Sequence, residues 1–310
     1  MSLDDSYIEP YLEDWLAYIR KSSDAEQQVI KNGKEFRVPY AGATVEAIKA
    51  IFIISERFRV EHEAKYLAVH LLDRYMGCLY WERVSGLPEV NAEGARQVAQ
   101  HMSSQLRLVL ATCLQIASKV DLFRTGLSVS QVQDLLQSID PLRDYSRESI
   151  VASELRVLRG LDFRIPVSLP LNVVELFLAY SQLPPSQQLR DTCLQLLDLA
   201  YIRHEDLFQQ LHLLARGSSY DRSRPECRDF LRLETNAGFV GASIVVCSAF
   251  FYQLKKSLVE NLAAKLAKLL GMEAFDLSIM ANLLFMTALD EDDFLGLQQL
   301  HDGTSASELD

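Results

Sequence analysis

The sequence predicts an all-α protein: two helical repeats in tandem behind an N-terminal helix. Three observations carry this. Apolar residues recur at helical spacing along nearly the whole chain, and the alternating patterns of strands are almost absent. Pro166 and Pro170 interrupt the helical pattern near the middle and mark a boundary. Two apolar segments with small residues interleaved, LVLATCLQIAS (Leu108–Ser118) and FVGASIVVCSA (Phe239–Ala249), stand one in each half as a weak repeat of pattern. Small side chains let helices approach closely, so each segment is expected to be the central helix of its own bundle. The expected division is an N-terminal helix and linker over 1–42, a first repeat over 43–165, a second over 166–290 and a frayed polar tail over 291–310.

The elements follow in order. Tyr11–Val29 is amphipathic, with Tyr11, Trp15 and Ile19 on one side and Pro10 suited to its first turn. Asn32–Gly42 reads as a linker punctuated by Gly33, Pro39 and Gly42. Val45–Arg57 carries the stripe Ile48, Ile51, Phe52, Ser55 and Phe58, and Glu61–Leu79 is apolar enough to be mostly buried. After a loop at Gly86–Asn91, Ala95–Val120 is a long helix whose second half is apolar nearly all round, as a central helix should be. Ser128 is placed to cap Val129–Ser138, and Pro141 ends that stretch. Ser146 and Glu148 open a helix through Leu161, with the stripe Val151, Leu155, Leu158 and Leu161. Beyond the prolines, Leu171–Tyr180, Gln187–His212, Phe230–Leu254, Leu258–Leu270 and Asp276–Ala288 are the expected helices.

The composition removes several classes of function. At 49% apolar and 24% charged residues over 310 positions, the chain has material for two cores without disulfide or metal staples. The start, MSLDDSYIEP, is acidic and lacks the apolar run of a secretory leader, and no apolar run reaches the roughly 18 residues of a membrane span, so a soluble protein with no membrane partner is expected. Five cysteines without CxxC spacing fit a reducing compartment, cytosol or nucleus. A net charge of −11 argues against a nucleic-acid footprint, and the nearest basic strip, Lys31, Lys34 and Arg37, reads as a solvated loop. No dinucleotide, phosphate-loop or nucleophile-elbow motif is present, His204-Glu205 is not followed by a second histidine at 208, and no His, Cys and acid residues show metal spacing. The reading is therefore non-catalytic, with no cofactor and no metal.

Three stretches stand out: YLAVHLLDRYM (Tyr66–Met76), LQIASKV (Leu114–Val120) and ELRVLRGLDFRI (Glu154–Ile165). In this order they resemble the cyclin box, whose members carry a helix like LAVxxLDRFL, a central helix ending in ASK, and a helix of the form ExxxLxxLxF. The resemblance covers about Ala43–Gln253 and is strongest from Tyr66 to Ile165. It implies two tandem cyclin-type repeats and, as partner, a protein kinase of the cyclin-dependent type. It also implies that Lys119 and Glu154 bond to kinase backbone groups while Leu158 and Phe163 belong to an apolar strip. The ordinary alternatives are a lysine at a helix C-terminus, a solvated acid and two core residues. Asp73 matches a family aspartate that pairs with an arginine on the preceding helix. That position here is Thr44, so Asp73 pairs with another group or sits at an exposed edge. Leu108 reads as a core residue.

Two further points come from the resemblance. Where cyclins have MRAILxDW, forming a docking groove for substrate peptides, this chain has ATVEAIKA (Ala43–Ala50), so that groove is expected to be absent. Arg228-Asp229-Phe230-Leu231 has the form of a degradation box but is placed to open a helix. A narrower resemblance, carried by LLDLAYIRHEDLF (Leu196–Phe208), by QIASKV (Gln115–Val120) and by the run from Glu154 to Leu178, is to a family member acting in meiosis. It implies meiotic crossover proteins as partners and a location on meiotic chromosomes in the nucleus. A kinase-independent scaffold and a transcription-factor-like use of the same fold are the competing readings.

Overall fold

In the computed structural model the described residues are 9–32, 43–86, 92–120, 126–165, 169–181, 183, 186–222, 224, 227–252 and 254–290. Among them there are helices and no strand. They are α1 (Glu9–Asn32), α2 (Val45–Arg57), α3 (His62–Ser85), α4 (Ala92–Val120), α5 (Val129–Ile139), α6 (Arg147–Gly160), α7 (Pro170–Ser181), α8 (Gln187–Ile202), α9 (His204–Arg216), α10 (Arg228–Glu234), α11 (Ala237–Phe251), α12 (Lys256–Leu270) and α13 (Ala274–Asp290). The chain divides into two compact units. One runs from Asn32 to Leu169, and the other joins the N-terminal residues through Lys31 to everything from Pro170 onward.

The first unit is built around α4. Every residue from Val109 to Ser118 is buried, and α2, α3, α5 and α6 all pack on this helix. Local chemistry fixes the ends of the surrounding helices. Thr44 caps α2 by accepting from Ala47 N–H at 3.3 Å. Ser128 caps α5 in a full capping box, its hydroxyl accepting from Gln131 N–H while Gln131 Oε1 accepts from Ser128 N–H at 2.9 Å. Ser146 caps α6 as expected, accepting from Ser149 N–H at 3.2 Å. Asp140 fixes the α5–α6 turn by accepting from the Tyr145 hydroxyl at 2.9 Å and from Arg107 at 3.0 Å.

In the second unit α11 has the same central place. Gly238 to Ala249 are all buried, and α7, α8, α12 and α13 surround it. The interleaved small residues do what the sequence pattern implied. A Cβ on Gly241 would lie 2.7 Å from Val173 Cγ1, so only glycine lets α7 come this close to α11. Cys247 on this helix and Cys193 on the neighbouring α8 are buried, and burial pushes the Cys193 thiol up to about 12, so it packs as a small apolar group. The five cysteines are all free thiols.

Several expectations are corrected here. The face of α1 that is buried is Leu16 and Ile19, whereas Tyr11 and Trp15 face water. Gln187–His212 is two helices, broken at Arg203, and Phe230–Leu254 is also two, broken where Asn236 caps α11 by accepting from Phe239 N–H at 3.1 Å. Leu108 is half-buried rather than a core residue: it lies beside the sealed positions Val109 and Leu110, on the side of α4 that turns toward solvent. Leu231 is buried, so the Arg228–Leu231 tetrapeptide is part of a packed helix. Most of the Asn32–Gly42 and Gly86–Asn91 loops and the Leu295–Asp310 tail lie outside the described residues, as do Lys34 and Arg37. Among the described residues no single helix is long and apolar enough to cross a membrane.

Candidate protein-docking site

The site lies in the first unit, where the C-terminus of α4 meets α6. The Thr112 hydroxyl on α4 donates to the Leu108 carbonyl at 2.7 Å and is hydrogen-bonded to the Ser153 hydroxyl on α6 at 2.9 Å in the buried seam. α6 is rotated so that Ile150, Ser153 and Val157 point inward. Glu154 is therefore turned to the margin, where its carboxylate accepts from the Lys119 ammonium at 2.6 Å. The two groups are 35 residues apart in sequence, and their side chains are 43% and 19% exposed. The pair is a charge-assisted bond at the edge of the fold, not a buried salt bridge.

The apolar strip lies along the same helix. Val151, Leu155 and Leu158 are spaced i, i+4 and i+7 and so share one face. Val151 and Leu155 are exposed, and Leu158 is half-buried. Val120, next to Lys119, is also exposed. The strip ends at Phe163, which is 63% exposed. The turn after α6 puts it there. Phe163 N–H bonds back to the Leu158 carbonyl at 2.8 Å, and both Asp162 and Phe163 take left-handed backbone, with φ of 52° and 56°. This is a Schellman-type ending built without glycine. Left-handed backbone costs an L-residue with a Cβ about 1–2 kcal/mol, so the chain is strained where it turns a large aromatic ring toward water.

The residues picked from the sequence thus divide as follows. Lys119 and Glu154 come together, Phe163 stands in solvent, and Leu158 contributes part of its surface. Val151 and Leu155 belong with them. The sequence signal for this was an apolar arc on α6 too wide for one core face: Ile150, Val157 and Leu161 already supply the buried side. Asp73 has found a substitute for the missing arginine. Its carboxylate accepts from the Ala43 backbone N–H at 3.2 Å, just before α2. In the ATVEAIKA stretch, Ala47 is buried, Glu46 is exposed in the first turn of α2, and Ala50 is half-buried.

A second polar centre, in the other unit, was not foreseen. Glu234 is buried on α10 and accepts from His204 Nε2 at 2.8 Å, from the Tyr220 hydroxyl at 2.6 Å and from Arg222 at 2.5 Å. Desolvation pushes its carboxyl up, but His204, Arg222 and Tyr220 together outweigh that and hold it below the usual carboxylate range. The donors come from the start of α9 and the segment after it, so the centre pins α10 to that region. Among the described residues no group of His, Cys, Asp and Glu could hold a metal.

Residues 44–166 match the sequence profile of the family described as Cyclin, N-terminal domain. Over that segment, about two fifths of the chain, the sequence is similar to the cyclin box. Over 250 residues, 77% of this chain and 73% of the relative, it is 28% identical to cyclin N-terminal domain-containing protein 1 of Homo sapiens. The protein of the same name from Mus musculus is 29% identical over 66% of this chain, which spans 63% of that relative's length. G2/mitotic-specific cyclin-B3 of Gallus gallus is 31% identical over 40% of this chain and 24% of its own. Among solved structures, a viral cyclin from herpesvirus saimiri superposes with a TM-score of 0.55, covering 88% of this chain and 97% of that one at 12% identity. That likeness shows the fold: all-α, with two cyclin-type repeats.

Proposed function

We propose that this chain is a non-catalytic cyclin-like regulator that docks a cyclin-dependent kinase on the α4–α6 edge and acts with crossover factors in meiotic recombination, on chromosomes in the nucleus. The observation that carries the docking reading is the Lys119–Glu154 pair set beside water-facing Val151, Leu155 and Phe163. The pair uses one of three ammonium N–H groups, so donors and acceptors stand ready for main-chain groups of a partner. The apolar strip supplies anchors whose desolvation gives affinity, and the charged pair fixes register. The meiotic part rests on the resemblance of Leu196–Phe208 and Glu154–Leu178 to a meiotic family member and on the similarity to cyclin N-terminal domain-containing protein 1.

The test is affinity purification of the full chain from meiotic tissue. A cyclin-dependent kinase should co-purify with the wild type and be lost when Lys119→Ala and Glu154→Ala are combined. A kinase-independent scaffold is the second reading, supported by Ala50 and Glu46 in place of the family's docking-groove residues. Crossover function retained by the double variant, with kinase absent from the purified complex, establishes that reading instead.

A further inference from the structure

We propose that Gln115, Ser118 and Gly126 form a clamp that positions the Lys119 ammonium. The inference deepens the docking reading above and rests on it. Ser118 is buried in the last turn of α4. Its hydroxyl accepts from Leu127 N–H at 2.9 Å and donates to the Gln115 carbonyl at 2.8 Å. The buried Gln115 side chain donates to the Leu127 carbonyl at 3.3 Å. Both polar groups of Leu127 are therefore bound by α4, and the returning chain is drawn onto the helix end.

Gly126, the residue before, meets the root of Lys119. A Cβ there would lie 2.7 Å from Lys119 Cγ, 2.9 Å from its Cα and 3.0 Å from its backbone N. Non-bonded carbons rest about 3.5–4.0 Å apart, so no side chain fits between them. The Gly126 main chain is a wall against the first bonds of the lysine side chain, removing rotamers that would carry the ammonium away from Glu154. A long, partly exposed lysine is normally the most mobile of side chains. Here it is held ready at 2.6 Å from its carboxylate. The clamp also explains the local sequence: QIASK places the two hydrogen-bonding residues on the inner side of the turn whose outer side bears the lysine.

These are positioning residues, and their test must separate positioning from general stability. In the full chain with labelled lysines, the Lys119 side-chain resonance is assigned by its loss in Lys119→Ala. Glu154→Gln should shift it strongly in the wild-type background and leave it nearly unmoved in a Gly126→Ala background. Kinase affinity should fall about tenfold with Gly126→Ala and less than about twofold when the same change is made on Lys119→Ala, since a residue acting through Lys119 has nothing left to position. Ser118→Ala should repeat the loss, and Ser118→Thr, which keeps the hydroxyl, should restore it. If Gly126→Ala fails to fold, the Ser118 pair of variants decides the question by the same resonance. A Lys119 signal that answers Glu154→Gln equally in all backgrounds overturns the clamp. If the wild type binds no kinase, the docking reading fails by itself, and the resonance still decides the clamp.

Discussion

Replacing Phe163 by Asn should separate binding from folding. A phenylalanine side chain has about 200 Å² of surface. With 63% of the residue exposed, about 125 Å² is available to a partner, worth about 3 kcal/mol of affinity at about 25 cal/mol per Å². The part already covered, about 75 Å², is worth at most about 2 kcal/mol to the fold, because that reckoning assumes an extended unfolded chain. Asparagine accepts left-handed backbone more readily, so relief at φ 56° returns about 1 kcal/mol. The net cost to the fold is then about 1 kcal/mol, while the dissociation constant rises about 100-fold. Urea unfolding gives the first quantity, and titration of the captured kinase gives the second. A dissociation constant changed by less than about threefold would refute the anchoring role of the ring. A stability loss of several kcal/mol would refute the statement that the ring faces water.

The remaining predictions concern the supports around the site. Glu234→Ala removes the common acceptor of His204, Tyr220 and Arg222 and should cost the second unit about 4 kcal/mol, followed by Trp15 fluorescence in a Trp81→Phe background. Because the Glu234 carboxyl is depressed in the fold, its contribution is complete above the unfolded-state value near about 4.3 and is lost as pH falls through the lower native value. Urea midpoints of the wild type should therefore drop below about pH 4.3 more steeply than those of Glu234→Gln. Asp73→Ala leaves the Ala43 N–H without this acceptor and should cost at least about 1 kcal/mol, while Asp73→Asn, which keeps an oxygen there, should cost less than half of that by the same urea measurement. An Arg-x-Leu peptide titrated into the full chain should show no binding, since Glu46 and Ala50 stand where the family's groove residues would be. Micromolar or tighter affinity would overturn that.

The sequence was most informative where local chemistry decides the outcome. Ser128 and Ser146 cap their helices as their positions foretold, because a capping serine acts within three residues of itself. The central helices α4 and α11 were legible because burial all round leaves no polar face to hide. The kink at Arg203 gave no warning: it has neither glycine nor proline, and hydrogen bonding continues across it, from Arg203 N–H to the Leu199 carbonyl and from Leu207 N–H to the Arg203 carbonyl. Asn236 did carry a signal, an asparagine ahead of an apolar run, which the continuous apolar pattern masked. The Glu234 centre could not be read at all, since its partners lie 30, 14 and 12 residues away and only tertiary structure gathers them. At the candidate docking site the cyclin resemblance singled out Lys119 and Glu154, but their pairing, and which apolar residues of α6 face outward, came only from the structure.

The bond from Asp73 to Ala43 has a consequence for how such chains evolve. An anchor made to a guanidinium can be lost by any mutation of the arginine that bears it. An anchor made to an amide hydrogen needs no functional group at 43; proline, which has no such hydrogen, would abolish it, and the burial of Ala43 limits the position to small residues. A chain tethered in this way needs no arginine at the start of α2, and an alignment would register a vanished partner where the tether persists.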